Sequence, residues 1–152
     1  MRDHGEIVET NKRGVQKSLD MYPHPNRKLL EPSENYNFSL FKGKKTTQLR
    51  MSRGCSYQCS FCPIERTYRF HSAKYIVNEL EQIVENGYEA VFWDDAMVTA
   101  NKRLLEEILT GVNERGYSLA MAGQTRADVH VTPALLEQMK AAGFSYLSFG
   151  LE

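Results

Sequence analysis

The sequence predicts an α/β fold: four parallel strands joined by three crossover helices. Three observations point to it. From Lys45 onward, short apolar strand patterns alternate with longer helix patterns. Capping residues and glycines punctuate the helix patterns at their ends. Polar residues suited to chemistry follow the strand patterns, and barrels of this type carry their functional groups on the loops after strand C-termini. The order β-α-β-α-β-α-β requires parallel pairing with right-handed crossovers.

The elements follow in order. Thr47, Leu49 and Met51 alternate with polar residues and mark a first strand, which runs directly into a loop holding every cysteine of the chain. Ser72 to Asn86 is a helix, with Ile76, Leu80, Ile83 and Val84 on one face and Gly87 suited to its C-terminal cap. Ala90 to Trp93 is a short buried strand. Thr99 is the expected cap of the next helix, whose apolar stripe is Leu104, Leu105, Ile108, Leu109 and Val112, and Gly116 ends it. Ser118 to Ala122 is a third strand. Thr132 followed by Pro133 opens a third helix, with Leu135, Leu136 and Met139 facing inward and Gly143 at its end. Tyr146 to Leu151 is the fourth strand. The cysteine loop, Asp94-Asp95, Gln124 to Asp128 and Glu152 then converge on one rim.

Ahead of these elements the chain reads differently. Residues 1 to about 20 are polar, with little apolar periodicity, and read as a flexible or weakly helical lead-in. Met21 to Asn37 holds Pro23, Pro25 and Pro32 and reads as an irregular connector, because proline fixes φ and removes a donor. The chain therefore divides into a lead-in, residues 1–44, and a core, residues 45–152. The stretch before the core is too short for an upstream nucleotide-type domain of normal size.

Composition excludes little and fits a single globular domain: 41% hydrophobic and 25% charged residues over 152 positions. The formal net charge is zero, so there is no global attraction for nucleic acid or anionic membrane. No apolar stretch approaches the length of a bilayer span, and the N-terminus lacks the apolar core of a signal peptide. An odd number of closely spaced cysteines fits metal ligation in a reducing compartment, and the expected location is cytoplasmic.

The chemistry centres on Cys55-Ser56-Tyr57-Gln58-Cys59-Ser60-Phe61-Cys62, a C-x-x-x-C-x-x-C run with no fourth cysteine in the chain. Thiolates are soft ligands that suit iron–sulfur clusters and zinc alike. A structural zinc site normally takes four protein ligands, and His71 is the available fourth, although the spacing departs from the common pair of C-x-x-C-like motifs. Three ligands alone leave one coordination position for chemistry. Gly54 lets the backbone turn sharply into the loop. Phe61 reads either as core packing or as part of a binding site. Asp94 and Asp95 read as a solvated acidic loop or as partners for a cation, and Arg126 as an exposed loop residue or as a partner for a carboxylate.

This run resembles the signature of the radical S-adenosylmethionine (radical SAM) enzymes. Ser52-Arg53-Gly54-Cys55 is similar to the lead-in of the subfamily with cobalamin-associated members and methylthiotransferases. The resemblance continues through Phe92-Trp93-Asp94-Asp95, Thr125-Arg126-Ala127-Asp128 and Phe149-Gly150-Leu151-Glu152, spanning roughly residues 23 to 152. Arg27-Lys28-Leu29-Leu30 with Tyr36 looks like the link that joins a cobalamin-binding domain to the core in part of that family.

The resemblance implies a partial barrel of the radical SAM type, of which this chain supplies the first four of six strands. Cys55, Cys59 and Cys62 would hold three irons of a [4Fe–4S] cluster, with S-adenosylmethionine on the fourth. Phe61 would lie beside its adenine, Asp94 and Asp95 near its amino group, Arg126 at its carboxylate and Glu152 at its ribose. Asp94-Asp95 stands where Gly-Gly-Glu is common in the family. A one-electron reductant, flavodoxin- or ferredoxin-like, would reduce the cluster, cleaving the cofactor to a 5′-deoxyadenosyl radical that takes hydrogen from an unspecified substrate. Cobalamin enters only if a separate domain or chain supplies it. The chain alone is expected to be incomplete and weakly active, with a partner chain or further strands completing the barrel. The alternative is an iron–sulfur or zinc module for binding or electron transfer, or an inactive fragment, without radical chemistry.

Overall fold

A computed structural model describes the chain except for Met1, His4, Lys12, Arg13, residues 31–38, Asp128, Val129 and Glu152. Pro32, Tyr36, Asp128 and Glu152, all singled out above, thus lie outside the described residues. Two short strands, β1 (Arg2–Asp3) and β2 (Glu6–Ile7), pair antiparallel where the sequence suggests a flexible or weakly helical segment. The main sheet has four strands: β3 (Thr46–Leu49), β6 (Ala90–Trp93), β7 (Ala120–Arg126) and β8 (Phe144–Gly150). They pair in sequence order, each step parallel. A separate antiparallel pair, β4 (Ser52–Arg53) and β5 (Arg69–Phe70), closes the neck of the cysteine loop.

Helices α1 (Ala73–Glu85), α2 (Lys102–Arg115) and α3 (Pro133–Ala141) supply the crossovers. Their apolar stripes, apart from Leu136, which is 40% exposed and not inward-facing as expected, meet Leu49, Val91, Trp93, Met121 and Phe144 in one buried cluster, so the helices cover one face of the sheet. That follows from the topology, since right-handed crossovers that always step in one direction leave every helix on the same side. The four parallel strands and three crossover helices are those expected from the periodicity.

Several boundaries differ: β3 ends at Leu49, short of Met51, and β7 begins at Ala120, after Ser118. Thr99 does not cap α2. It is fully buried, with its hydroxyl on Thr125 Oγ1, and Asn101 caps the helix by accepting from Leu104 N at 3.1 Å. Strand β7 runs to Arg126, so Gln124, Thr125 and Arg126 lie in the strand, not in a loop. Strand β8 begins at Phe144, ahead of the expected start at Tyr146 and directly after Gly143. Polar strand ends carry no apolar periodicity, which is why pattern alone stops short of them.

The other face of the sheet carries Gln48, Phe92, Gln124 and Tyr146, by register. Phe41 packs there against Ala90 and Ala122, near the N-terminal ends of the strands and away from the cysteines. Tyr146 is 47% exposed. No helix of the described residues is long and apolar enough to cross a membrane.

A buried ion pair between Arg27 and Glu79 of α1 is one of the contacts that dock the lead-in, beside those of Asp20 with His71 and Ser72 and of His24 with Tyr75 and Gln82. Arg27 donates through Nη2 to Glu79 Oε1 (2.5 Å) and to Gln48 O (2.8 Å), and through Nε to Thr47 Oγ1 (3.0 Å). Both side chains are 5% exposed. Removing one partner of such a pair leaves the other charge buried and uncompensated. Glu79→Ala is therefore expected to destabilise the fold by about 3–5 kcal/mol in urea unfolding. Glu107→Ala, at an exposed pair with Arg103, should cost less than about 0.5 kcal/mol. Equal effects of the two substitutions would overturn this ranking.

Candidate functional site at the cysteine loop

The site is built where β3 gives way to the β4–β5 hairpin, whose long loop, residues 54–68, carries the cysteines. Gly54 opens that loop at φ 91°, and a Cβ there would collide with the Thr67 carbonyl. Both the backbone angle and the close approach require glycine. The loop folds back on itself through Cys55 N to Glu65 O (2.8 Å) and Cys62 N to Cys59 O (3.1 Å). All three cysteines are free thiols; Cys55 is buried, and Cys59 and Cys62 are half-buried.

Asp94 and Asp95 follow β6 but do not act as a pair. The alternation of extended backbone sends their side chains opposite ways. Asp94 forms an exposed ion pair with Arg50. Asp95 is 1% exposed and accepts from Met51 N (3.0 Å), Ser52 N (2.7 Å) and the Ser52 hydroxyl. It clamps the base of the cysteine loop to the end of β6. Burial pushes its carboxyl up to about 6, against the pull of those hydrogen bonds. Its own carbonyl accepts from Gln124 Nε2 at 3.1 Å, which ties in β7.

Arg126, the last residue of β7, reaches the cysteines directly. Its Nη1 donates to Cys59 Sγ at 3.5 Å, and its guanidinium lies 4.5 Å over the Tyr57 ring. The cysteines, Phe61, Arg126 and Phe149 line a cleft of about 320 Å³ between the loop and the ends of β7 and β8. A second space of about 380 Å³ adjoins it, lined by Arg50, Asp94, Asp95 and Gln124. Phe61 is 70% exposed at the cleft edge, so core packing is not its role. The structure thus brings Cys55, Cys59, Cys62, Phe61 and Arg126 to one cleft and Asp94 and Asp95 to its neighbour.

Two residues matter here that periodicity and motif do not mark. Arg66 donates to the carbonyls of Tyr57, Cys59 and Cys62. Tyr68 stacks on Phe70, and its hydroxyl is buried without a well-formed hydrogen bond. Burial, then the neighbouring Cys55 and Asp95, hold that hydroxyl far above the usual tyrosine range. Position after the last cysteine is the one available signal for either residue.

A zinc ion and a cluster make different demands on these donors. Among the described residues, no three Cys, His, Asp or Glu side chains converge as a single ion requires. His71, the fourth ligand of the zinc alternative, has Nδ1 3.3 Å from Asp20 Oδ1, and its ring stacks on Tyr75. A cluster makes a different demand, because its thiolates bind separate irons and need not meet at one point. Three soft donors on one loop fit a three-thiolate cluster, and His71, the fourth ligand a zinc site would need, is engaged by Asp20 and Tyr75.

A family model and several known proteins match the chain. The model of the radical SAM superfamily matches residues 49–152. The hopanoid C-2 methylase of Rhodopseudomonas palustris is 28% identical over 113 residues, covering 68% of this chain and 21% of that protein. The anaerobic magnesium-protoporphyrin IX monomethyl ester cyclase of Synechocystis is 26% identical over 152 residues, covering 97% and 30%. TsrM of Kitasatospora setae, a radical S-adenosylmethionine methyltransferase, has a similar fold in two solved forms. With cobalamin and a [4Fe–4S] cluster bound, the TM-score is 0.65 at 16% identity, covering 72% of this chain and 23% of that one. With tryptophan and a SAM analogue bound, it is 0.69 at 15% identity, covering 90% and 27%. The chain spans between a fifth and a third of the length of these relatives.

The raised Asp95 carboxyl gives a signed pH dependence. A carboxyl whose pKa is higher folded than unfolded binds its proton more tightly in the folded state. Its charge therefore costs stability as pH rises from 3.8 to about 6, and the cost is complete above that window. The stability of the wild type relative to Asp95→Asn should rise by about 2 kcal/mol as pH falls from about 7 to about 4. Urea unfolding at both pH values reads this, and a pH-independent difference would overturn the assignment.

Proposed function

The chain belongs to the radical SAM superfamily, and on that basis we propose that it binds a [4Fe–4S] cluster through Cys55, Cys59 and Cys62 and takes S-adenosylmethionine beside it. The observation that carries the reading is the loop itself: three free thiols, no fourth, opening on a cleft lined by Arg126. When bound and reduced, such a cluster supplies one-electron cleavage of the sulfonium to methionine and a 5′-deoxyadenosyl radical, which takes a hydrogen atom from substrate. The hard chemistry is the cofactor's, and the protein's part is to bind, orient and exclude water.

Each residue has a part in that. Cys55, Cys59 and Cys62 hold three irons and leave the fourth free. The Arg126 guanidinium, already 3.5 Å from Cys59 Sγ, suits the cofactor carboxylate in two-point contact. Phe61 offers an exposed ring at the cleft edge for the adenine. Asp94, with its carboxylate half-exposed, is the acidic side chain suited to the amino group, whereas Asp95 acts through the loop base it clamps. Glu152 keeps its proposed place at the ribose by resemblance.

Substrate selection and any use of cobalamin belong to segments beyond these residues, or to a partner chain. β8 is the last strand of the sheet order among the described residues, and its outer edge is the natural place for further strands to pair. A flavodoxin- or ferredoxin-like reductant and a cytoplasmic location complete the proposal.

The test is anaerobic reconstitution. About four irons and four sulfides per chain are expected. Alanine at any one of the three cysteines should abolish them, and S-adenosylmethionine should change the electron paramagnetic resonance spectrum of the reduced cluster. Stoichiometric zinc without sulfide in anaerobically purified protein would falsify the cluster. An unchanged spectrum at saturating cofactor would instead favour an electron-transfer module.

A further inference from the structure

We infer that Arg66 is a positioning residue that holds the cysteine loop in its ligating shape before any cluster is present. The purpose of that shape rests on the cluster reading above, but the evidence lies in the loop's own bonding. Nη1 of Arg66 donates to Tyr57 O; Nη2 donates to Cys62 O at 2.8 Å and to Cys59 O at 3.3 Å. One planar fork thus gathers carbonyls from both sides of the C-x-x-C segment. Arginine suits this task because it has five donors in fixed geometry and no acceptor. A lysine ammonium, compact and without the rigid fork, holds three separated carbonyls less well.

The charge of Arg66 is also free to serve the loop. Its acidic neighbour Glu65 is taken by Arg69 at 2.5 Å. Among the described residues no carboxylate forms an ion pair with Arg66. An always-charged guanidinium therefore stands behind the backbone of a segment that must gather three thiolates. Their mutual repulsion opposes loop closure, and a fixed positive charge offsets it. Residues that orient metal ligands in this way typically change metal affinity about 10–100-fold when removed.

The contrast with Arg126 sharpens the assignment. Arg126 comes from the far side of the cleft and touches a thiol and a ring. Arg66 belongs to the loop itself and touches its main chain. The first is placed to meet a ligand and the second to shape the loop.

The experiment compares wild type with Arg66→Ala and Arg66→Lys, using two independent readouts. In the metal-free chain, amide hydrogen exchange by NMR at Cys55 and Cys62 should be at least about tenfold faster in Arg66→Ala, with β6 and β7 amides unchanged. In the reconstituted protein, iron loss to a chelator should accelerate about 10–100-fold. The cluster's midpoint potential should also become more negative, because a nearby positive charge has gone. Arg66→Lys should fall between the two on every readout. Wild-type exchange and wild-type iron retention in Arg66→Ala would overturn the inference. If the alanine variant loses β6 and β7 protection, Arg66→Gln carries the same comparison, and wild-type exchange there overturns it equally. If the wild type itself takes up no iron and sulfide, the cluster reading fails, and the metal-free exchange still decides whether Arg66 holds the loop.

Discussion

Asp95 sits where the end of β6 meets the base of the cysteine hairpin, and its two carboxylate oxygens take three donors from Met51 and Ser52. A buried carboxylate is costly unless it is hydrogen-bonded. Those same bonds are what the loop base needs, because β3 has ended at Leu49 and the ladder to β6 with it. The backbone bond from Asp94 N to Leu49 O is the last link across that pair. Beyond it a side chain takes the place of a strand partner. Asp95 thus fixes the base of the cysteine loop to the end of β6, and its own carbonyl is fixed by Gln124 of the next strand.

The layering explains why the site has room around it. All three helices pack on one face, and the large buried side chains, Trp93, Leu105, Ile108 and Met121 among them, belong to that face. The other face carries Gln48, Phe92, Gln124 and Tyr146 and is filled mainly by Phe41, toward the N-terminal ends of the strands. Stability and chemistry are thus separated. The helical face supplies the apolar burial that holds the strands, and the C-terminal ends of those strands are left to polar groups. Thr99 on Thr125 and Val98 N on Gln124 O hold the 94–101 turn against β7, so the rim is bonded even though it is open.

Positive charge surrounds the thiols from two directions. Arg126 meets Cys59 from across the cleft, and Arg66 grips the carbonyls behind the cysteines. The chain's zero formal net charge says nothing of this arrangement, because the opposing carboxylates of Asp94 and Glu65 pair with Arg50 and Arg69.

The order of strands and helices, and the cysteines as the chemical centre, are legible in the amino-acid sequence for a shared reason. Apolar periodicity over a window and thiol spacing within one loop are local properties, readable without knowing what packs on what. Asp94-Asp95 and Arg126 are marked as rim residues in the same way, through their place after or near strand ends. What each of them touches is not legible. Whether an aspartate faces solvent or a buried amide depends on the parity of the strand that carries it, and Asp94 and Asp95 differ by that alone. Thr99 reads as a cap because it precedes a helix; it is instead buried against a threonine 26 residues away, and Asn101 caps α2. Arg66 carries no signal beyond its position after the last cysteine, since a surface arginine and a main-chain brace have the same local sequence. Arg27 reads as part of an irregular connector and is half of a buried ion pair with Glu79, 52 residues on. The long-range partners of polar groups are set by the folded chain alone, because a hydrogen bond needs two groups within about 3 Å of each other, and chain spacing does not specify that distance once the chain has turned.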